Sequence, residues 1–299
     1  MNKLFLTGLM TVALLLTACS QGDELPAVAE PAPTPSGLEI RISSEAASRA
    51  TDYGFEENDR VGLFVVNRED SSPGLLASSG NHVDNMGHTY SGVWTPDEPI
   101  YWKDSETHAD FYLYYPYRSA VSVSAMPFEV KADQSAEADY KASDLMRGIA
   151  FDVAPTASAI SIPVYHLMSR VNIKVEAGSG FTASSLAKAD VSVRINGVKC
   201  GASVDLATGT LTPAGSALNV TPLKRENRYV ALLVPQVIEE CDLITVSVND
   251  KEYNLTKGVT LVSGKSYTFT VVVSRSSNGI NVGISPWDED DTDYGGTAE

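Results

Sequence analysis

Ser263-Gly264-Lys265-Ser266 is the segment nearest to a phosphate-binding loop. In such a loop the backbone N–H groups of a glycine-rich turn and one lysine surround an anion ahead of a helix. Upstream Gly258 stands one residue too far from Gly264 for that geometry, and no strand–loop–helix pattern follows, so a hairpin turn is expected. The four histidines, His82, His88, His108 and His166, share no ligand spacing on one element, which leaves no metal site to nominate. His166 opens an alternating run and reads as a structural histidine. Serines are numerous and none sits in a nucleophile elbow. Asp288, Glu289, Asp290, Asp291 and Asp293 could hold calcium weakly, but the glycine and distal glutamate of a calcium hand are missing, and a solvated tail is expected. Trp94, Trp102 and Tyr101 could stack on sugar rings; packing in a core is the commoner use of such residues in strands. The sequence therefore predicts no enzyme, no catalytic residue and no cofactor.

The cysteines carry more information. Of three, Cys19 closes Leu16-Thr17-Ala18-Cys19, behind an apolar run from Leu4 to Leu16 and the basic Lys3. That run is too short to span a bilayer and has the make-up of a signal peptide. Leu-Thr-Ala-Cys matches the bacterial lipobox, so residues 1–18 are expected to be a lipoprotein signal peptide and Cys19 the lipidation site, with palmitate-type acylation. Each buried acyl methylene is worth about 0.8 kcal/mol, so several chains hold a protein on a membrane. Cys200 and Cys241 remain. The export route is oxidising and permits a disulfide between them; two free thiols packed as small hydrophobes are the alternative.

Positioning these residues falls to short strands. Residues 19–36 hold Pro26, Pro31, Pro33 and Pro35 and read as an extended tether. From Gly37 the pattern alternates: Leu38, Ile40 and Ile42 fall on one face, as do Val61, Leu63 and Val65. Ala109 to Pro116 is continuously apolar and aromatic, a strand buried on both faces. Further strands are expected at 166–177, 191–196, 229–235, 243–249, 267–273 and 280–284, with turns such as Ala207-Thr208-Gly209 between them. Helical periodicity is confined to a turn or two at 184–188. The pattern predicts an all-β chain, and 299 residues call for two β-sandwich domains in tandem, 37–165 and 166–287, followed by an acidic tail at 288–299. Net charge is -16, from 22 basic and 38 acidic residues, which repels phosphate backbones and argues against nucleic acid as a partner.

Five stretches together resemble the fimbrillin family of the Bacteroidales, the subunits of type V pili. They are Phe55-Glu56-Glu57-Asn58-Asp59-Arg60-Val61-Gly62-Leu63-Phe64-Val65; Tyr101-Trp102 with Asp110-Phe111-Tyr112-Leu113-Tyr114-Tyr115-Pro116-Tyr117; Asp144-Leu145-Met146; His166-Leu167-Met168-Ser169-Arg170-Val171; and Gly264-Lys265-Ser266-Tyr267 with Ile284-Ser285-Pro286-Trp287. Ser20-Gln21-Gly22-Asp23-Glu24 is similar to the acidic signal that sends lipoproteins of the Bacteroidetes to the outer face of the outer membrane. The resemblance implies two transthyretin-like sandwich domains and a surface lipoprotein held in the outer membrane by its lipid anchor. It also implies assembly with other fimbrial subunits, and a host or bacterial surface ligand as a further partner. An Arg-specific protease would then remove the N-terminal segment with its first strand, and a neighbour's strand would fill the groove by β-augmentation. On this chain the removable strand is Gly37 to Ser43, carrying Leu38, Ile40 and Ile42, all three expected to be buried. The cleaved bond is Arg49-Ala50; Arg41 would lie inside the paired strand. Residues after Trp287 lack the alternating apolar pattern of a strand donor, which favours a tip or accessory subunit over a stalk. A surface glycan-binding lipoprotein is the alternative function.

Overall fold

The computed structural model describes residues 37–43, 54–69, 72–276 and 279–284. Cys19, the Arg49-Ala50 bond and the acidic tail lie outside the described residues. In chain order the first elements are β1 (Ile42–Ser43), β2 (Arg60–Asn67), β3 (Val83–Tyr90), β4 (Trp94–Pro96), β5 (Ala109–Tyr115), β6 (Met126–Glu129), α1 (Glu137–Ala142), β7 (Met146–Val153), β8 (Ile160–Ser161) and β9 (Val164–His166). Then come β10 (Ser169–Ala177), α2 (Ala183–Ala187), β11 (Val191–Val204), β12 (Leu211–Val220), β13 (Leu223–Lys224), β14 (Tyr229–Leu233), β15 (Val237–Val248), β16 (Lys251–Thr260), β17 (Ser266–Ser276) and β18 (Gly279–Ile284). The chain is all-β, as expected, with two short helices among the described residues.

Four sheets result. The six-stranded sheet β4-β3-β2-β5-β7-β9 is antiparallel throughout. Its central strands β2 and β5 are buried on both faces, so each face feeds a different apolar cluster. Val61, Leu63, Val65, Phe111 and Leu113 enter the smaller cluster; Phe64, Val66, Tyr112 and Tyr114 enter the larger. The larger cluster also takes residues of β13, β14, β10 and β17 from one five-stranded sheet and of β12, β11, β15 and β16 from the other. The fourth sheet is the parallel pair β1–β8.

Two connections span the division expected near residue 165. β9 contains Tyr165 and His166 and pairs with β7, while β6 joins β11 through Gly201↔Glu129 to Val204↔Met126. Side chains add to these. Buried Gln134 donates to the Leu232 carbonyl (2.8 Å) and accepts from its N–H (2.9 Å), and Arg147 Nε donates to the Leu206 carbonyl.

The Ser263–Ser266 segment is a turn with Gly264 at φ +70°, and β17 rather than a helix follows it. The expectation of a hairpin needs correction: β16 and β17 belong to different sheets, so the turn crosses between layers. Ala207-Thr208-Gly209 does close a hairpin, β11–β12, with Gly209 at φ +78° and Asp205 accepting from the Ala207 N–H.

Candidate functional site

The described parts of the five sequence stretches are linked by strand pairing and hydrogen bonds. Asp59 accepts from the Glu56 N–H (2.8 Å) and from the Tyr115 hydroxyl (3.2 Å). Burial is the main cause that raises the Tyr115 hydroxyl pKa well above its ordinary value, and the Asp59 carboxylate adds to it. Strand pairing sets Tyr115 beside Met146 and Met146 beside His166. His166 Nδ1 donates to Asp144 (2.7 Å), Ser169 donates to the Val262 carbonyl, and the Tyr267 hydroxyl accepts from the Val262 N–H. These residues fix strand ends and turns. His82 holds the Tyr101 carbonyl (2.7 Å), His108 pairs with Asp152, and His88 is buried on β3. Among the described residues no group of histidine, cysteine and carboxylate side chains could hold a metal.

Two of the three aromatic candidates belong to the core, and Tyr101 is half-buried. Trp94 and Trp102 are buried in the smaller cluster, with Trp94 4.9 Å from Phe55 and Trp102 5.6 Å from Phe111, so neither offers a face to a sugar. A cleft of ≈ 790 Å³ lies beside β6 and β12. Arg118 lies 5.3 Å from the Phe128 ring there, which occupies that aromatic face as well. Cys200 is buried and Cys241 half-buried, and both are free thiols.

The site with functional geometry is the bed of the first segment, residues 37–43. It changes partners along its length. Trp102 N–H donates to the Leu38 carbonyl (2.9 Å) and Ile40 N–H to the Ile100 carbonyl (2.8 Å), an antiparallel register with Glu39 opposite Tyr101. From Arg41 onward the pairing is parallel. Ile160 N–H donates to the Arg41 carbonyl and Ile162 N–H to the Ser43 carbonyl, both at 2.8 Å. Ile40 (1% exposed) and Ile42 (5%) point into the smaller cluster beside Ile100, Trp102, Ile160 and Ile162. Leu38 corrects the expectation: it is 39% exposed, so two side chains rather than three seal the cluster. Burying two isoleucines stabilises by about 3–6 kcal/mol before entropy. Glu39 and Arg41 face outward and pair with each other (2.9 Å), an exposed contact of little consequence. A Cβ on Gly37 would stand 3.3 Å from the Tyr101 Cβ, a tight contact that requires the neighbour to give by a few tenths of an ångström. The two walls of the bed are tied without the segment's help, since Trp102 Nε1 donates to the Thr156 carbonyl (3.2 Å).

A family model described as fimbrillin-like matches residues 48–287. The chain belongs to the fimbrillin-like family. Fim1C of Bacteroides uniformis, a candidate fimbrium subunit, is 24% identical over 312 residues and 96% of each chain. Fim1C of Bacteroides ovatus, a candidate fimbrium tip subunit, is 27% identical over 197 residues. That match takes 56% of this chain but only 35% of the relative, about a third of its length. Among solved structures, a candidate cell adhesion protein from B. uniformis superposes with a TM-score of 0.63 at 16% identity, over 86% of this chain and 99% of the other. One from B. ovatus gives 0.60 at 17% identity, over 85% and 97%. At these identities the fimbrillin-like chain shares their fold.

Proposed function

We propose that this fimbrillin-like chain is a structural and adhesive subunit of a type V-like fimbria, exported as an outer-membrane lipoprotein through Cys19 and assembled by protease-triggered strand exchange. The observation that carries this reading is the bed of residues 37–43. A short N-terminal segment seals an apolar cluster with two isoleucines and paired backbone, and the sequence just beyond it offers Arg49-Ala50 to a protease. Removal of the segment leaves apolar side chains and unpaired strand edges, a surface that favours a replacement strand. Family membership supports assembly with other fimbrial subunits at the cell surface. A tip or accessory position is the finer part of this reading, and the B. ovatus relative, described as a candidate fimbrium tip subunit, supports it. The division into sandwich domains 37–165 and 166–287 belongs to the same reading.

The test is Arg49→Ala, expressed in cells with the native Arg-specific protease. The surface protein is expected to keep residues 37–43 and to drop out of fimbriae. Maturation of the variant to the wild-type N-terminus would overturn the choice of bond.

A further inference from the structure

β12 reaches beyond the core that its partner strand closes. Register sets Leu218 opposite Val198, so the two side chains share a face of the sheet. Val198 is wholly buried in the larger cluster, yet Leu218 is 44% exposed, and residues 214–219 are exposed throughout. A bulge separates this stretch from the rest of the strand. β12 takes three steps from Ala214 to Ala217 while β11 takes two from Gly201 to Lys199, and Gly215 adopts φ +80° there. Bulges of this kind bend an edge strand out of its layer. The cleft of ≈ 790 Å³ lies here, lined by Gly215, Ser216 and Leu218 of β12 and by Arg118, Glu129 and Lys131. Its volume is in the range of small-molecule sites.

Charge and hydrogen bonding define what the cleft takes. In a chain of net charge -16, Arg60, Arg68, Arg194 and Arg225 each pair with a carboxylate. Among the described residues Arg118 and Lys131 form no ion pair. Arg118 is also held in place. Its N–H donates to the hydroxyl of buried Tyr114 (3.2 Å), its carbonyl accepts from Asn85 Nδ2 (2.8 Å), and its guanidinium lies 5.3 Å from the Phe128 ring. A guanidinium fixed in this way takes a carboxylate by two parallel N–H bonds and loses little freedom in doing so. Arg118 covers Phe128, and Arg60 lies 4.4 Å from the Tyr117 ring centre, so the cleft offers no free aromatic face on which a neutral sugar could stack. Glu129 accepts from hydroxyl groups and repels a run of carboxylates. The cleft crosses the paired strands β6, β11 and β12 instead of following one edge, which gives an extended peptide no ladder to join. One carboxylate, several hydroxyls and a small apolar face satisfy all of these conditions. We propose that the cleft binds a uronic-acid residue of a polysaccharide, with its carboxylate on Arg118 and Lys131, its hydroxyls on Glu129 and Ser216, and its ring carbons on Leu218. This deepens the adhesive part of the reading above and rests on it for a role at the cell surface; it needs neither the cut at Arg49-Ala50 nor strand exchange.

The test is equilibrium binding of three probes to the detergent-solubilised full chain: trigalacturonate, the neutral trisaccharide maltotriose and the peptide triglutamate. Trigalacturonate is expected to bind about tenfold or more tighter than either of the others. Arg118→Gln should weaken it about tenfold or more, and Arg118→Lys should restore only part of the loss, because an ammonium lacks the planar fork. Lys131→Gln, at an exposed position where folding is not at stake, should weaken it about threefold. Equal binding of maltotriose would overturn recognition by charge. Tighter binding of triglutamate would overturn the sugar and name an acidic peptide in its place. Trigalacturonate binding that neither Arg118→Gln nor Lys131→Gln weakens would overturn the cleft as its site, and wild-type chain that binds none of the three would overturn the proposal outright. Each readout is taken on unassembled chain with residues 37–43 in place, so failure of the site and failure of the Arg49→Ala test are separate results.

Discussion

The two apolar clusters differ in how they are closed. The larger is enclosed by β10, β14, β17, β11, β15 and β16, strands embedded in two sheets, with α1 and α2 contributing Tyr140 and Leu186. The smaller shares the strands β2 and β5 with it but is sealed on its far side by short pieces: residues 37–43, residues 100–102 and β8. One is closed by strands within its sheets, the other by a segment that a single cut in the sequence between 43 and 54 would sever covalently from the rest. Core burial by itself does not tell the two apart, since Ile40 is as buried as Phe64; connectivity does.

Truncation separates them most sharply. Phe64→Ala, in the larger cluster, is expected to cost about 3–5 kcal/mol and to lower the denaturant midpoint of the whole chain. Ile40→Ala should cost about 2–4 kcal/mol, read first as faster hydrogen exchange at the Ile40 and Trp102 amides, ahead of any change at Val171 or Ile173. Equal loss of protection in both clusters would erase the distinction. Acid gives the next effect. His88, 1% exposed, has its pKa lowered to about 4, chiefly by burial, with the Met86 carbonyl and Asp97 acting the other way. The unfolded chain binds the proton near pH 6.5 and the folded chain near 4, so stability is complete above about 6.5 and falls by about 3 kcal/mol on the way to pH 4. His88→Leu should flatten that part of the stability–pH curve, and an unchanged slope would contradict the role given to His88. The smallest change is Trp102→Phe, which keeps a ring against Phe111 but deletes the bond to the Thr156 carbonyl. A loss of about 1 kcal/mol is expected, concentrated in exchange at Ile160 and Ile162; uniform loss would deny that Trp102 ties the walls.

Much of this architecture is legible as alternation. The doubly buried β5 stands where the sequence puts it, and β10 keeps Ser169–Ala177 of the expected 166–177 while His166 ends β9 in another sheet. The strands that escape notice are those whose sequence dilutes the pattern. β12 carries Pro213 and Gly215 and exposes Ala214 to Asn219; β3 carries Gly87 and two asymmetric polar positions around buried His88; β16 mixes Lys251, Glu252 and Lys257 with buried Tyr253 and Leu255. α1 is a helix of six residues with one buried side chain, too short for a period. In the candidate site, Ile40 and Ile42 are legible and Leu38 is not. Alternation assigns a face, but the covering layer is built by residues 100–102 and β8, and its extent depends on pairings remote in sequence. The role of Gly37 is likewise invisible until Tyr101 is seen against it.

The central claim is that residues 37–43 can leave while the remainder stays folded. Hydrogen exchange on the full chain, before and after an Arg-specific cut and removal of the freed segment, tests it most directly. The account predicts that the Trp102, Ile160 and Ile162 amides, which donate to Leu38, Arg41 and Ser43, lose protection while Val171 and Ile173 keep theirs. Collapse of protection throughout the chain after the cut, or a segment that cannot be removed short of global unfolding, would contradict it.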